Sequence, residues 1–209
     1  MMGPIISKGA ALLLLLLLFA NIDAVPVSEA SLRAAAEEGD AAAQYDLGVM
    51  YAHGQGADQN HKKACKWYKR AAEQEHALAH QRLGIMYREG QGVKQNSKKA
   101  IAHLKRSLEQ GNSNAQKSLT VTYAKEAREG DAESQNILGS MYYHGKGVKQ
   151  SYEQAFDWFQ MAAEQGHAGA QYQLGWIYND GKGVKQNSKK ARAWLNKAKQ
   201  QGYEGDRIW

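Results

Sequence analysis

The sequence predicts an all-α protein, a right-handed α-solenoid of antiparallel helix pairs, from three observations. A Leu-Gly pair with a tyrosine four residues after the leucine recurs from Leu47-Gly48 to Leu174-Gly175. A Gly-x-Gly turn follows each complete copy, and a run with apolar residues three and four positions apart follows the turn. Because one such helix pair leaves its apolar face uncovered, we expect neighbouring pairs to stack.

The repeat length sets the boundaries of the predicted repeats. Leu47 and Leu83 are 36 residues apart (83 − 47 = 36), and so are Leu138 and Leu174 (174 − 138 = 36). A degenerate copy at Leu119 stands only 19 residues before Leu138 (138 − 119 = 19), so it lacks a turn and half a helix. We therefore predict a solenoid over 41–209, with complete repeats at 41–76, 77–112, 131–167 and 168–203 and a truncated copy at 113–130.

The truncated copy is expected to interrupt the regular stack. The segment from Ala115 to Glu129 is expected to form one helix where a hairpin should stand. We predict a break in the superhelix there, and the alternative is that one lone helix fills the gap without changing the curve.

Local signals support each element of the repeat. The glycine pairs permit the positive φ angles that end one helix and turn the chain into the next. The glycine after each leucine costs about 1 kcal/mol relative to alanine within a helix, so its recurrence indicates that two helices approach closely there. A polar residue that can cap the exposed N–H groups precedes each second helix; these residues are Asn60, Asn96, Ser151 and Asn187.

The N-terminal segment differs from the repeats. Lys8 precedes an apolar run dominated by Leu12 to Leu18, and small residues follow at Ala20 and Ala24. This order is typical of a secretory signal peptide over residues 1–24, cleaved after Ala24 or, as the alternative, after Ala20. The run is shorter than the roughly 20 residues that span a membrane. We expect a secreted or periplasmic protein without stable membrane insertion, an uncleaved anchor being the other possibility, and a capping helix within 25–40.

Charge and cysteine content narrow the possible partners. The formal net charge is +6, which favours acidic partners or anionic surfaces. The predicted signal peptide argues against nucleic acid as a ligand. Cys65 is the only cysteine, so no disulfide can form within the chain and the apolar core must hold the fold together.

The repeat unit resembles the Sel-one-like repeat (SLR), a relative of the tetratricopeptide repeat. The resemblance rests on A-x-A-Q-x-x-L-G-x-x-Y, the Gly-x-Gly-Val turn and A-x-x-W-(Y/F), and it extends from Ala41 to Tyr203. It implies a scaffold or adaptor, and secreted bacterial members of the family are associated with binding host or envelope components. The resemblance therefore predicts a protein or peptide partner and no cofactor.

Catalysis and metal binding find little support in the sequence. Cysteine-rich members of the family are linked to β-lactam binding or hydrolysis, but this chain lacks their cysteine pairs and the S-x-x-K, S-D-N and K-T-G motifs of serine β-lactamases. We therefore predict no enzyme, with a cell-wall or β-lactam-binding or hydrolysing protein as the alternative and an immunity-type inhibitor as a further binding role. His76 and His167 occupy equivalent repeat positions, which indicates a turn role and not a metal site.

A binding groove is predicted on the first helix of each repeat. Each residue advances about 100° around an α-helix, so positions two before, two after and five after the leucine oppose the core. These positions vary between copies, and several carry residue types that are enriched at binding hot spots. The predicted groove residues are Tyr45, Val49, Gln81, Ile85, Arg88, Lys117, Val121, Asn136, Tyr143, Tyr172, Trp176 and Asn179.

Overall fold

The structure is a computed structural model and describes residues 29–205. The predicted signal peptide, its cleavage site and the last four residues lie outside this range. Residues 29–205 form ten α-helices and no strand, which confirms the all-α prediction. The helices are α1 (Glu29–Glu37), α2 (Ala41–His53), α3 (His61–Glu73), α4 (Ala77–Glu89), α5 (Ser97–Glu109), α6 (Ala115–Arg128), α7 (Ala132–His144), α8 (Tyr152–Glu164), α9 (Ala168–Asp180) and α10 (Ser188–Gln200).

Eight of the helices in this range form four hairpins, which pair α2 with α3, α4 with α5, α7 with α8, and α9 with α10. Each of these helices has 13 residues. The short helix α1 packs on α2 at one end of the stack, within the segment predicted to cap it. None of the described helices is long and apolar enough to cross a membrane.

The helix ends follow the local sequence signals. The side chain of Asn60 accepts a hydrogen bond of 2.9 Å from the backbone N–H of Lys63, which caps α3, and Asn96 and Asn187 cap α5 and α10 in the same way. Gly54 ends α2 in the left-handed conformation, with a φ angle of 71°. That conformation is why a glycine stands at this position in each complete repeat.

The glycine after each leucine marks a close approach between the two helices of a hairpin. A Cβ atom added to Gly48 would lie 2.6 Å from the ring of Tyr68 in α3. One added to Gly84 would lie 2.6 Å from Leu104 in α5. The helix–helix distance therefore requires glycine, as the repeated motif predicted.

Helix α6 is a single helix that packs on both of its neighbours. On one side it contacts α4 and α5, where the guanidinium of Arg88 donates a hydrogen bond of 3.3 Å to the carbonyl of Ser118. On the other side Gln135 of α7 donates a bond of 3.0 Å to the carbonyl of Ala127. A continuous buried cluster joins α5, α6 and α7, so the stack has no packing gap at the truncated copy.

The contacts of α6 resemble those of two different helices. The bond from Gln135 to Ala127 matches the bond from Gln44 to Ala36 at the α1–α2 joint and the bond from Gln171 to Ala163 at the α8–α9 joint. Toward the C-terminus α6 thus acts as the second helix of a hairpin, while toward the N-terminus it acts as the first helix of the next one. One lone helix fills the gap.

Candidate functional site

The twelve predicted groove residues all lie on α2, α4, α6, α7 and α9, and we call the side of these helices that carries them the first-helix face. Their exposure differs. Lys117 and Val121 are exposed and Tyr143 is buried. The remaining nine are half-buried: Tyr45, Val49, Gln81, Ile85, Arg88, Asn136, Tyr172, Trp176 and Asn179.

Tyr143 does not line an open groove, and the prediction was wrong about its exposure. Only 3% of its surface is accessible. The ammonium of Lys182 donates a hydrogen bond of 2.6 Å to the Tyr143 hydroxyl, and the ring of Tyr152 lies 5.0 Å away between centroids. Lys182 belongs to the Gly-x-Gly turn of the following hairpin. At Tyr143, the position five after the leucine is therefore covered by the next repeat.

Several half-buried members of the set join one repeat to the next. The ring of Tyr45 stacks on His76 with centroids 4.9 Å apart, and its hydroxyl pairs with the guanidinium of Arg82, whose pKa this hydrogen bond raises. Gln81 accepts a hydrogen bond of 3.0 Å from Asn112. These contacts place the position two before the leucine between neighbouring first helices.

Aromatic side chains gather at the C-terminal end of the first-helix face. Tyr172 lies edge-on to Trp176 with centroids 6.1 Å apart and edge-on to Tyr203 at 5.6 Å. Tyr203 is exposed, while Tyr172 and Trp176 are half-buried. The cluster presents aromatic surface that is partly open to a partner.

A cavity of about 420 Å³ opens between α6, α7 and α9. Its apolar wall contains Leu119, Ile137, Met141 and Phe159, and Tyr203 also lines it. Lys105 and Lys146 also line it. Of the twelve predicted residues only Asn136 contributes to this cavity, next to Gln173, which the sequence analysis did not select.

The second repeat contains a histidine pair, with His80 buried and His103 half-buried, that the sequence analysis also missed. The Nδ1 atoms of His80 and His103 lie 3.0 Å apart, and the ring of Tyr87 stacks on His103. Burial lowers the pKa of His103 to about 4, and burial also lowers the pKa of His80. In the other complete repeats these two positions hold glutamine and tryptophan, and that contrast is a signal that the sequence offered.

Two further histidines have structural roles. The His76 ring accepts a hydrogen bond of 3.3 Å from the N–H of Ala79, and His167 accepts one of 3.1 Å from Ala170, so both cap a first helix. Across residues 29–205, no group of three or more His, Cys, Asp or Glu side chains is arranged to hold a metal ion.

The lysine pairs at the starts of the second helices divide into two kinds. One lysine of each pair lies over a core tyrosine: Lys63 over Tyr51, Lys99 over Tyr87 and Lys190 over Tyr178. The preceding lysines lie over no ring of the described residues, although all six lysines are exposed; the preceding lysines are Lys62, Lys98 and Lys189. One lysine of each pair therefore packs against a tyrosine ring of the core.

Comparison with known proteins agrees with this architecture. The family model described as Sel1 repeat matches residues 41–76, 77–112, 132–167 and 168–203. A Sel1 repeat protein from Oxalobacter formigenes is 32% identical, with a TM-score of 0.45, over 85% of this chain and 77% of that one. Among curated proteins none matches the chain at a significant level.

Two further solved structures are similar. A protective antigen of uropathogenic Escherichia coli strains, with an SLR fold, is 32% identical over 83% of this chain, with a TM-score of 0.43. The match covers only 41% of that antigen. A putative Sel1 repeat protein from Klebsiella pneumoniae is 22% identical, with a TM-score of 0.36, over 85% of this chain and 94% of that one. With four matched repeats that cover most of its length, the chain belongs to the Sel1 repeat family.

Proposed function

We propose that this protein is an extracytoplasmic scaffold that binds a peptide or protein segment on its first-helix face. Sel1 repeat proteins are generally protein-interaction scaffolds and typically not enzymes. The observation that carries the proposal is the cavity between α6, α7 and α9, which adjoins the aromatic cluster of Tyr172, Trp176 and Tyr203.

Two further features support a protein ligand on this face. The first-helix positions that oppose the leucine vary from repeat to repeat, while the leucine, glycine and tyrosine positions are repeated. Large aromatic side chains that are partly exposed and held by their neighbours bind partners at a low entropic cost. The net charge of +6 favours a segment that carries acidic residues.

Export is the second half of the proposal, and it rests on the sequence of residues 1–24. When the full sequence is expressed in a bacterial host, the protein should be recovered from the periplasmic or culture fraction. Its N-terminal residue should then be Val25. A full-length chain found only in the cytosol would contradict this part of the proposal.

The binding role is tested by capture with residues 25–209 as bait. A partner from envelope or culture fractions should be retained by the unaltered chain and lost from the Y172A/W176A variant, because truncation of both rings removes the aromatic surface. The matched control is M161A, which truncates an exposed apolar side chain on a second helix. All three chains should show the same helical circular dichroism.

The outcomes are distinct. A partner retained equally by Y172A/W176A and the unaltered chain would place binding elsewhere and contradict the proposal. A partner lost from M161A as well would show that the effect is not confined to the first-helix face. Hydrolysis of nitrocefin by the purified chain would favour the β-lactam alternative instead.

A further inference from the structure

Three of the residues that line the cavity between α6, α7 and α9 differ from their counterparts in the N-terminal repeats. Asn136, Phe159 and Gln173 each stand 91 residues after an equivalent residue (136 − 45, 159 − 68 and 173 − 82), namely Tyr45, Tyr68 and Arg82. In the N-terminal repeats the Tyr45 hydroxyl pairs with Arg82, and the Tyr45 and Tyr68 rings lie 5.7 Å apart. In the C-terminal repeats the shorter side chains of Asn136 and Gln173 stand at these positions and line the cavity.

The change also leaves polar groups without partners. The side-chain oxygens of Asn136 and Gln173 are buried and accept no hydrogen bond, and 95% of Gln173 is inaccessible, its exposed fraction being 5%. A buried acceptor without a donor is unfavourable, because it has lost its hydrogen bonds to water and gained none from the protein. Rotation of either amide about its last torsion exchanges its oxygen and nitrogen, so each can offer an acceptor or a donor to a molecule in the cavity. A ligand with backbone amides would relieve this cost.

The charges around the cavity are of one sign. Lys105 of α5 and Lys146 of the α7–α8 turn both line it, and both are exposed. Within residues 29–205 neither lysine forms an ion pair. Below them lies the apolar wall that includes Ile137 and Met141. The combination suits an apolar side chain that is flanked by a carboxylate.

We infer that this cavity binds a peptide segment in which an aliphatic or aromatic residue adjoins a carboxylate, with the carboxylate at Lys105 and Lys146 and the backbone amides at Asn136 and Gln173. The inference rests on the proposed function and narrows it to one subsite and one ligand chemistry. A volume of about 420 Å³ is within the range of small-ligand sites and accommodates one large side chain with its adjoining backbone.

The test uses residues 25–209 and a phage-displayed library of random peptides. Selected sequences should be enriched in Asp or Glu beside an apolar residue. Their affinities are then measured as synthetic fluorescent peptides, each made with an amidated and with a free C-terminus. If the amidated form binds as tightly, the carboxylate comes from Asp or Glu. If only the free form binds, the carboxylate is the C-terminal one.

The decisive variant is N136Y/Q173R, which refills the cavity with the pair that the N-terminal repeats already use. This variant should fold with an unchanged circular dichroism spectrum. Its affinity for the selected peptides should be about tenfold lower or more, because the open volume and both amides are lost. A second variant, K105A/K146A, changes only exposed side chains. It should bind acidic peptides more weakly, while its affinity for matched peptides in which Gln replaces each acidic residue should not change.

Failure of this subsite and failure of the proposed function give different results. Selected peptides that bind N136Y/Q173R and K105A/K146A as tightly as the unaltered chain, yet are lost from Y172A/W176A, would overturn this subsite and leave the first-helix face in place. A library that yields no specific peptide on any of the chains would overturn both this inference and the proposed function.

Discussion

The two pairs of hairpins on either side of α6 share one scaffold but differ in what fills the space between repeats. We call residues 41–112 the N-terminal block and residues 132–203 the C-terminal block. Between its two first helices the N-terminal block holds Tyr45 and Arg82, with a cavity of about 270 Å³ beside Arg82. The C-terminal block holds Asn136 and Gln173, which line the cavity of about 420 Å³. The leucines and glycines are the same in both. Repeated positions thus set the fold, and the positions between repeats are free to change.

A second difference lies deeper in the two blocks. His80 and His103 of the N-terminal block stand where the C-terminal block has Gln171 and Trp194. Gln171 donates a hydrogen bond to the carbonyl of Ala163, and the ring of His80 approaches the equivalent carbonyl of Ala72. The N-terminal block therefore keeps the joint between hairpins but makes it sensitive to protonation.

The largest expected loss of stability comes from glycine substitutions that compare the packing between hairpins within a block with the packing at α6. A Cβ atom on Gly183 would lie 2.3 Å from the backbone of Tyr152, whereas one on Gly147 would first meet the hydroxyl of Thr120 at 2.5 Å. Both glycines have positive φ angles. G183A should therefore lower the free energy of unfolding by about 3 kcal/mol or more, and G147A by less, because a side chain yields more readily than a backbone.

Urea unfolding measures both glycine variants against G111A as the control. Gly111 also has a positive φ angle, but a Cβ atom there would meet no neighbour within 4 Å. G111A thus isolates the cost of the backbone conformation, about 1–2 kcal/mol. Equal losses in G183A and G111A would show that the close approach at the joint contributes nothing.

An intermediate effect is expected from the histidine pair. The pKa of His103 is lowered from 6.5 to about 4 in the folded state by burial and by the charges of His80, Lys69 and Lys99. Glu75 opposes the lowering at His80 but does not reverse it. The unfolded chain therefore takes up protons first, and stability that is present above pH 6.5 is lost as the pH falls toward 4. Because solvent reaches part of the ring, we expect a loss of about 1–2 kcal/mol.

The matched control for the histidine pair is H80Q/H103W, which installs the residues of the other repeats. Its melting temperature should fall less than that of the unaltered chain between about pH 7 and pH 4.5. Parallel melting curves for the two chains across this range would refute the role assigned to the pair.

The smallest expected change in stability distinguishes the two lysines of each pair at the start of a second helix. Lys190 lies 5.1 Å from the ring centroid of Tyr178, and Lys99 lies 5.5 Å from that of Tyr87. K190A and K99A should each lower the urea midpoint by the equivalent of about 0.5 kcal/mol. K189A and K98A should change the midpoint by nothing measurable, because no ring within residues 29–205 lies beneath either side chain. The same loss for both members of a pair would indicate a general effect of charge.

The sequence predicted the helices, their caps and the close approach at each Leu-Gly pair because all of these depend on contacts within one repeat. It misplaced Tyr143 because helical angles locate a side chain on its own helix and cannot show that Lys182 of the next repeat covers it. It missed Gln173 for a related reason. The position one before the leucine is neither core nor opposite face, and only the packing of α7 against α9 brings it to a cavity.

The dual role of α6 has a consequence for the internal symmetry of the chain. Helix α1 and the C-terminal part of α6 occupy equivalent places 91 residues apart (120 − 29 = 91), each followed by two hairpins. The described helices thus form two equivalent sets, and the leading helix of the second set lies inside the stack. Glu29 and Arg33, which pair on α1, correspond to Thr120 and Ala124 in the second set. The ion pair is therefore absent at the place where the two sets meet.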